Sequence, residues 1–361
     1  DWDTIIQADG KHIYPGFVAP NSTLGLTEID AIRATRDFDE IGILNPHIRS
    51  QIAYNVESKV IATTRTNGVL ITQSTPRGGV ISGQSSLMFL AGWNWEDATV
   101  KANDGMHLNW PSLVSHKWNG SSVDKGVSAE YQKERAEIVD FFKQAKAYLN
   151  AGKSDSPDLR FEACRNLFEG DMRLFINVNE MQEMLDVVDF VKELGVKKPV
   201  IIGGYDAWRI VEVLKEYKIP VMLGRLHSLP LRENDPVDLP YRLPFLLQEA
   251  GVQFCLQNEG DMEAMNARNL PFLAGTAMAY GLTEEQAIQS VSLSACKIMG
   301  IDGNFGSLEA GKNATLFISS GSALDMKTHN VEYFYINGEK MLPVNTQTEL
   351  YGKYSEKYKN K

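Results

Sequence analysis

Short apolar runs alternate with amphipathic stretches along most of this chain, and the alternation reads as strand, helix, strand. The clearest unit is "KPVIIGGYDAWRIVEVLKEYKIPVMLG", Lys198 to Gly224. Pro199–Gly203 and Ile219–Leu223 are apolar on both faces, as buried strands are, and Asp206–Tyr217 carries a helical pattern. Two such strands joined by a helix are parallel, with a right-handed crossover. Upstream, "RLFINV" is a further strand, followed by a helix with Met181, Met184, Leu185, Val188 and Val191 on one face and Gly195 at its end. Downstream come the strand "VQFCLQ" and a helix opened by the capping box of Thr283 and Gln286. Its inner stripe is Ala287, Val291, Ala295 and Ile298.

Repeated βα units predict an α/β chain built on a TIM-like (β/α)8 barrel. The barrel is expected to be parallel and closed, with strands that include Phe175–Val178, Val200–Ile202, Val221–Leu223 and Phe254–Leu256. The segment Asp104–Asp171 is longer and more polar than a usual connection; "SAEYQKERAEIVDFFKQAKAYL" within it predicts one long exposed helix over the barrel mouth. From Gly306 the texture changes to alternating strands with an "NG" turn, a small β domain. Near the other end, "ADGK" reads as a hairpin turn between two short strands, so the chain starts inside a sheet at Asp1 and upstream sandwich strands are expected to be missing. The organisation is therefore a barrel over 15–305, a composite β-sandwich from 1–14 and 306–345, and a polar tail over 346–361 read as a surface helix.

Composition narrows the function classes. Among 361 residues, 36 Lys and Arg face 46 Asp and Glu, for a formal charge of −10. That balance favours solubility and argues against a nucleic-acid or anionic-membrane partner. No apolar run approaches the roughly 18 residues of a membrane span. Cys164, Cys255 and Cys296 fit neither a disulfide framework nor a zinc-finger spacing and are read as buried thiols.

The candidate chemistry starts at "HIYPGFVAPNSTLGL", where an apolar strand arrives at Asn21, Ser22 and Thr23. Polar groups delivered to a strand's end build a site. With "NLPFLAGTAMAYGLTEEQAIQSVSLSACKIMGI" and "GSLEAGKNATLFI", this stretch resembles the amidohydrolase superfamily, in its imidazolonepropionase and prolidase-like branch. The resemblance implies metal-assisted hydrolysis of C–N bonds of amide or dipeptide-like substrates. In that chemistry zinc or another divalent ion is held by His-x-His at the first strand and by His after the fifth and sixth, with an Asp at the last strand.

Residue by residue, the His-x-His pair falls on Asn21 and Thr23, the fifth-strand His on Asn177, and the sixth-strand His on Gly203. The last-strand Asp falls on Glu259, or on Asn258 if the register slips by one. Zinc lowers the pKa of its bound water by about nine units, roughly 12 kcal/mol of help in making hydroxide. Asn, Thr and Gly cannot replace that ligand set, so no metal or other cofactor is expected and the pocket is read as binding a small amide-like ligand. The pocket set is Asn21, Thr23, Asn177, Gly203, His227 and Glu259; His227 and Glu259 are the catalytic candidates. The alternative is an active amide hydrolase with a rearranged site around His227, His107 and Glu259.

Other features take plainer readings. His12, His47, His116 and His329 are structural, with His47 and His116 on loops. "TPRGGVISGQSS" lacks the ending of a P-loop and is read as a tight loop at the mouth, with no base spaced to activate Ser85 or Ser86. Trp93 and Trp95 form either a lid or buried packing, and Asp261 and Glu263 either bind calcium or pair with Arg268. The sequon matches at Asn21, Asn119 and Asn313 are taken as chance.

Overall fold

The computed structural model describes residues 5–118, 123–152 and 156–359. The strands in chain order are β1 (His12–Pro15), β2 (Phe17–Ser22), β3 (Val69–Ser74), β4 (Ile81–Phe89), β5 (Thr99–Asn109), β6 (Val114–Trp118), β7 (Val123–Val127), β8 (Arg173–Val178), β9 (Pro199–Gly203), β10 (Val221–Leu223), β11 (Phe254–Leu256), β12 (Leu316–Ser319), β13 (Val331–Ile336) and β14 (Glu339–Met341). The helices are α1 (Lys59–Arg65), α2 (Tyr131–Asn150), α3 (Leu159–Glu162), α4 (Arg165–Glu169), α5 (Met181–Leu194), α6 (Val211–Glu216), α7 (Leu239–Ala250), α8 (Glu263–Asn266), α9 (Leu270–Ala279), α10 (Glu284–Ser290), α11 (Leu293–Met299) and α12 (Thr346–Tyr358).

Eight strands form one sheet in the order β11-β10-β9-β8-β5-β4-β3-β2, a nearly closed barrel. The four strands expected from β8 to β11 are present, mutually parallel and buried. Two expectations fail. The barrel is not wholly parallel, because β4 runs antiparallel to both β3 and β5. This places the second half of the glycine-rich stretch, from Ile81, in a barrel strand rather than a loop; its first half, up to Val80, is a connection. The ladder also does not close: β2 and β11 are the two ends of the sheet order. At this seam the Val18 N–H donates to the carbonyl of Val291, in the break between α10 and α11. The single helix expected from Thr283 onward is thus two, though its capping box and buried stripe are present.

The long connection before β8 also departs from expectation. α2 has the expected length, but Ile138, Phe141, Phe142 and Ala145 are buried and the helix lies beside α5 instead of over the mouth. Phe142 meets Phe190 edge-on at 5.5 Å, and Lys146 Nζ donates to the Leu194 carbonyl at the end of α5. An outward-facing row of charges hides an apolar stripe that the crossover geometry needs. His116 lies in β6, a strand of the β6–β7 ribbon, not on a loop. Asn119 lies outside the described residues. Trp93 is 90% exposed and Trp95 half-buried, on the turn after β4. Because β4 is reversed, that turn sits at the end of the barrel away from the mouth, so neither tryptophan is a lid.

β1, β12, β13 and β14 form a four-stranded antiparallel sheet from both ends of the chain. The turn at Asn337–Gly338 links β13 to β14, and the Asp9–Gly10 turn precedes β1 with no strand before it among the described residues. Phe317 of β12 joins this sheet to the barrel: its ring lies 5.2 Å from Tyr14 and 5.0 Å from Phe17, and it is fully buried. Phe317→Ala is expected to cost about 3–5 kcal/mol and Phe317→Leu much less. Urea titration of both variants checks this, and a Phe317→Ala chain as stable as the parent would show that the sheet is not coupled to the barrel here.

Candidate functional site

Hydrogen bonds replace the missing ladder at the seam. The register of β2 slips between Ala19 and Ser22, and Asn21 takes φ +48°, a left-handed conformation that Asn tolerates. This turns its carboxamide across the gap, where Nδ2 donates to Gln257 Oε1 at 2.7 Å, just past β11. Arg77 secures the other side: its two Nη groups donate to Asn21 Oδ1 at 2.6 Å and to the Asn21 carbonyl at 2.7 Å. The same guanidinium is 3.6 Å from Glu263 Oε1, and Glu263 also accepts from Thr23 N at 2.5 Å and Ser22 Oγ at 3.0 Å.

The bonding continues into the barrel. Gln73 Oε1 accepts from Asn21 N, and its Nε2 donates to Asp104 Oδ2 at 2.9 Å. Ser85 Oγ donates to Asp104 Oδ1 at 2.6 Å and lies 2.9 Å from His107 Nε2. His107 stacks on Phe175, its Nδ1 has no partner, and burial holds its pKa well below the ordinary value. A base therefore does neighbour Ser85, contrary to the sequence reading. Yet serine sits between acid and imidazole, whereas a nucleophilic triad puts the imidazole in the middle. All three side chains are buried.

An open cavity of about 280 Å³ lies at the ends of β9, β10 and β11. Asn179, Arg225 and Glu259 line it on the polar side, and Leu226, Leu231 and Leu243 on the apolar side. Of the six expected pocket residues, Gly203 and Glu259 line this cavity. Asn21 and Thr23 are buried in the seam, and Asn177 Nδ2 is bonded to Asn109 Oδ1. His227 is turned away, its Nε2 2.7 Å from Thr276 Oγ1 and its ring edge-on to Tyr241. Asn258 is buried and bonded to the Asn266 carbonyl. Burial raises the pKa of Glu259, offset in part by Arg77 and then Arg225. Arg268, expected to pair with Asp261 and Glu263, is not the partner of Glu263; Arg77 is. Among the described residues no group of three or more His, Cys, Asp and Glu side chains is placed to hold a metal ion.

The outer wall belongs to the connection between β10 and α7, tied down by an ion cluster. Arg232 donates to both oxygens of Asp206, at 2.9 and 2.6 Å, and pairs with Glu180 and with Asp235. Tyr205 OH donates to Asp235 Oδ2 at 2.9 Å, and Arg209 joins Asp206 and Asp235. Sequence reasoning missed Arg77, Gln257 and Arg232; Arg225, directly after a strand, was named as a neighbour of Glu259 and is one.

The amidohydrolase family model matches residues 182–341. The chain is similar to the crystal structure of an amidohydrolase from Thermotoga maritima MSB8, with 25% identity over 95% of this chain and 90% of that one and a TM-score of 0.82. A prolidase complexed with N-methylphosphonate-L-proline shares the fold at 12% identity, covering 93% and 88% of the two chains with a TM-score of 0.53. A Xaa-Pro dipeptidase with bound methionine does so at 12% identity, 94% and 91% coverage and a TM-score of 0.52. No curated protein matches the chain at a significant level.

Two outcomes are expected. Glu259 binds its proton more tightly in the folded chain than at its ordinary 4.5, so its contribution to stability is full below that pH and is lost as pH rises through the folded value. Glu259→Gln should flatten the fall in unfolding free energy over that interval in urea titrations at stepped pH; an unchanged slope would mean the carboxyl is not desolvated. Arg232→Ala removes one of the two arginines that partner Asp206 and Asp235, which are almost fully buried, leaving Arg209, at a cost of about 1.5–3 kcal/mol. Limited proteolysis should then cut between Arg225 and Asp238, and a variant as resistant as the parent would show that the cluster does not hold this wall.

Proposed function

We propose that this chain, which belongs to the amidohydrolase superfamily, binds a small amide-like ligand at the mouth of its barrel without the metal-assisted hydrolysis of its relatives. The observation that carries this reading is the place of Arg77. Its guanidinium is bonded to Asn21, where the superfamily's first metal ligand falls, and it pairs with Glu263. The donors that remain do not fit a divalent ion. Asn21 has both ends of its carboxamide committed, Thr23 Oγ1 accepts from Thr27 Oγ1, Asn177 is bonded to Asn109, and Gly203 has no side chain. Charge argues the same way: Glu259 and Glu263 already face Arg77 and Arg225, so no net negative charge is left to offset the desolvation of a dication.

The rearranged-hydrolase reading finds no comparable support. His107 is sealed under Ser85 and Phe175, and His227 does not line the cavity that holds Glu259.

Elemental analysis of the purified chain is the test, with well below one zinc or other divalent ion per chain expected. Asn21→His, Thr23→His and Asn177→His together should still fail to hold zinc while Arg77 is present, and should gain it when Arg77→Ala is added. One tightly held ion in the parent chain would overturn the reading, as would zinc uptake by the triple variant with Arg77 intact.

A further inference from the structure

Arg225 and Glu259 carry opposite charges, line the same cavity, and do not form an ion pair with each other among the described residues. The Arg225 guanidinium makes no hydrogen bond there either. Backbone packing explains why each stays put. Glu259 lies over Gly224, where a Cβ would fall 2.6 Å from Oε2, and Arg225 lies over Gly260, where a Cβ would overlap its guanidinium. The two side chains thus cross between the ends of β10 and β11, each resting on a glycine of the other's loop. Beside them Asn179 uses Oδ1 to accept from Tyr205 N at 3.3 Å, and its Nδ2 makes no hydrogen bond among the described residues. The opposite wall is aliphatic: Leu226, Leu229, Leu231 and Leu243.

The Glu259 carboxylate is attracted to Arg225 and accepts from the Arg225 backbone N–H, but the two side chains do not close an ion pair, so the Arg225 guanidinium and the rest of the Glu259 carboxylate keep hydrogen-bonding capacity at the cavity. One molecule satisfies both if it carries an anion and a cation a few ångströms apart. Resting on the ligand-binding reading above, we infer that the occupant is a small zwitterion with an aliphatic body, an α-amino acid type of molecule. Its carboxylate meets Arg225 and the Asn179 amide, its ammonium meets Glu259, and its side chain lies against the leucines. The cavity volume of about 280 Å³ lies just below the range of ligand sites, about 300 to 1,000 Å³, and suits one amino acid better than a longer peptide.

Calorimetric titration of the metal-stripped chain with L-leucine, L-leucinamide and N-acetyl-L-leucine tests this. L-leucine is expected to bind, and each analogue, lacking one charge, to bind about ten- to a hundredfold more weakly. Arg225→Gln should erase the preference for leucine over leucinamide, and Glu259→Gln the preference over N-acetyl-leucine. Equal binding of all three, or analogues that bind while leucine does not, overturns the zwitterion and leaves metal-free binding at the mouth standing. Binding of any of the three only after zinc is restored overturns the parent reading itself. No binding in either state overturns the zwitterion. The comparison within the unaltered chain needs no variant to fold.

Discussion

Closing the barrel between its first and last strands is the constraint from which the site follows. A sheet edge exposes backbone donors and acceptors that must find partners when buried. Here β2 and β11 do not pair with each other, so other groups must. The carbonyl of Val291 takes the Val18 N–H, and it is free to do so because the helical run breaks between α10 and α11. The Asn21 carboxamide then bridges to Gln257, and Arg77 holds Asn21 in place. Asn21 and Thr23 are both spent on bonds within the closed seam. Each charge-assisted bond of this kind contributes about 1.5–3 kcal/mol, so freeing Asn21 for a ligand would loosen the seam as well as the site.

The polar belt inside the barrel extends that closure. Gln73, Ser85, Asp104 and His107 satisfy one another almost completely, which is the condition on which buried polar groups are tolerable. Asp104 is the costly member, since burial raises its pKa despite bonds from Ser85 and Gln73. The orphan Nδ1 of His107 is the one loose end among these four residues. A buried carboxylate tied to serine and an imidazole tied to the same serine make a structural brace across β3, β4 and β5. Nothing in that order of groups prepares serine for attack on a substrate.

Much of this fold was legible because its determinants are local. Strands apolar on both faces, Gly195 as a helix end, the capping box at Thr283 and the Asn337–Gly338 turn each depend on a few neighbouring residues. The reversed β4 was not legible, since "ISGQSSLMF" is buried along its whole length and shows neither alternation nor a helical stripe. The face of α2 was misread for a different reason: its apolar stripe is narrow, and charge dominates its average. For the site, little was readable: of the six expected pocket residues Gly203 and Glu259 line the cavity. Strand ends mark where polar groups gather, but Arg77 reaches Asn21 from a glycine-rich connection 56 residues away, and no local pattern says where a loop side chain lands.

Filling the seam also explains where the open space lies. Side chains from β2, β3, β4 and β5 fill their half of the barrel with hydrogen bonds. On the other half the strands end in glycines. Gly203, at φ +93°, leaves room for Asn179, and Gly224 and Gly260 leave room for Glu259 and Arg225. A side chain at any of the three would drive its neighbour up into the cavity. The floor is therefore low and polar where the strands are short, and the wall above it is aliphatic because the connection to α7 is pinned inward by Arg232. Glu259 lines that floor beside Arg225, and the nearby charges of Arg77 and Arg225 offset part of the cost of burying its carboxyl.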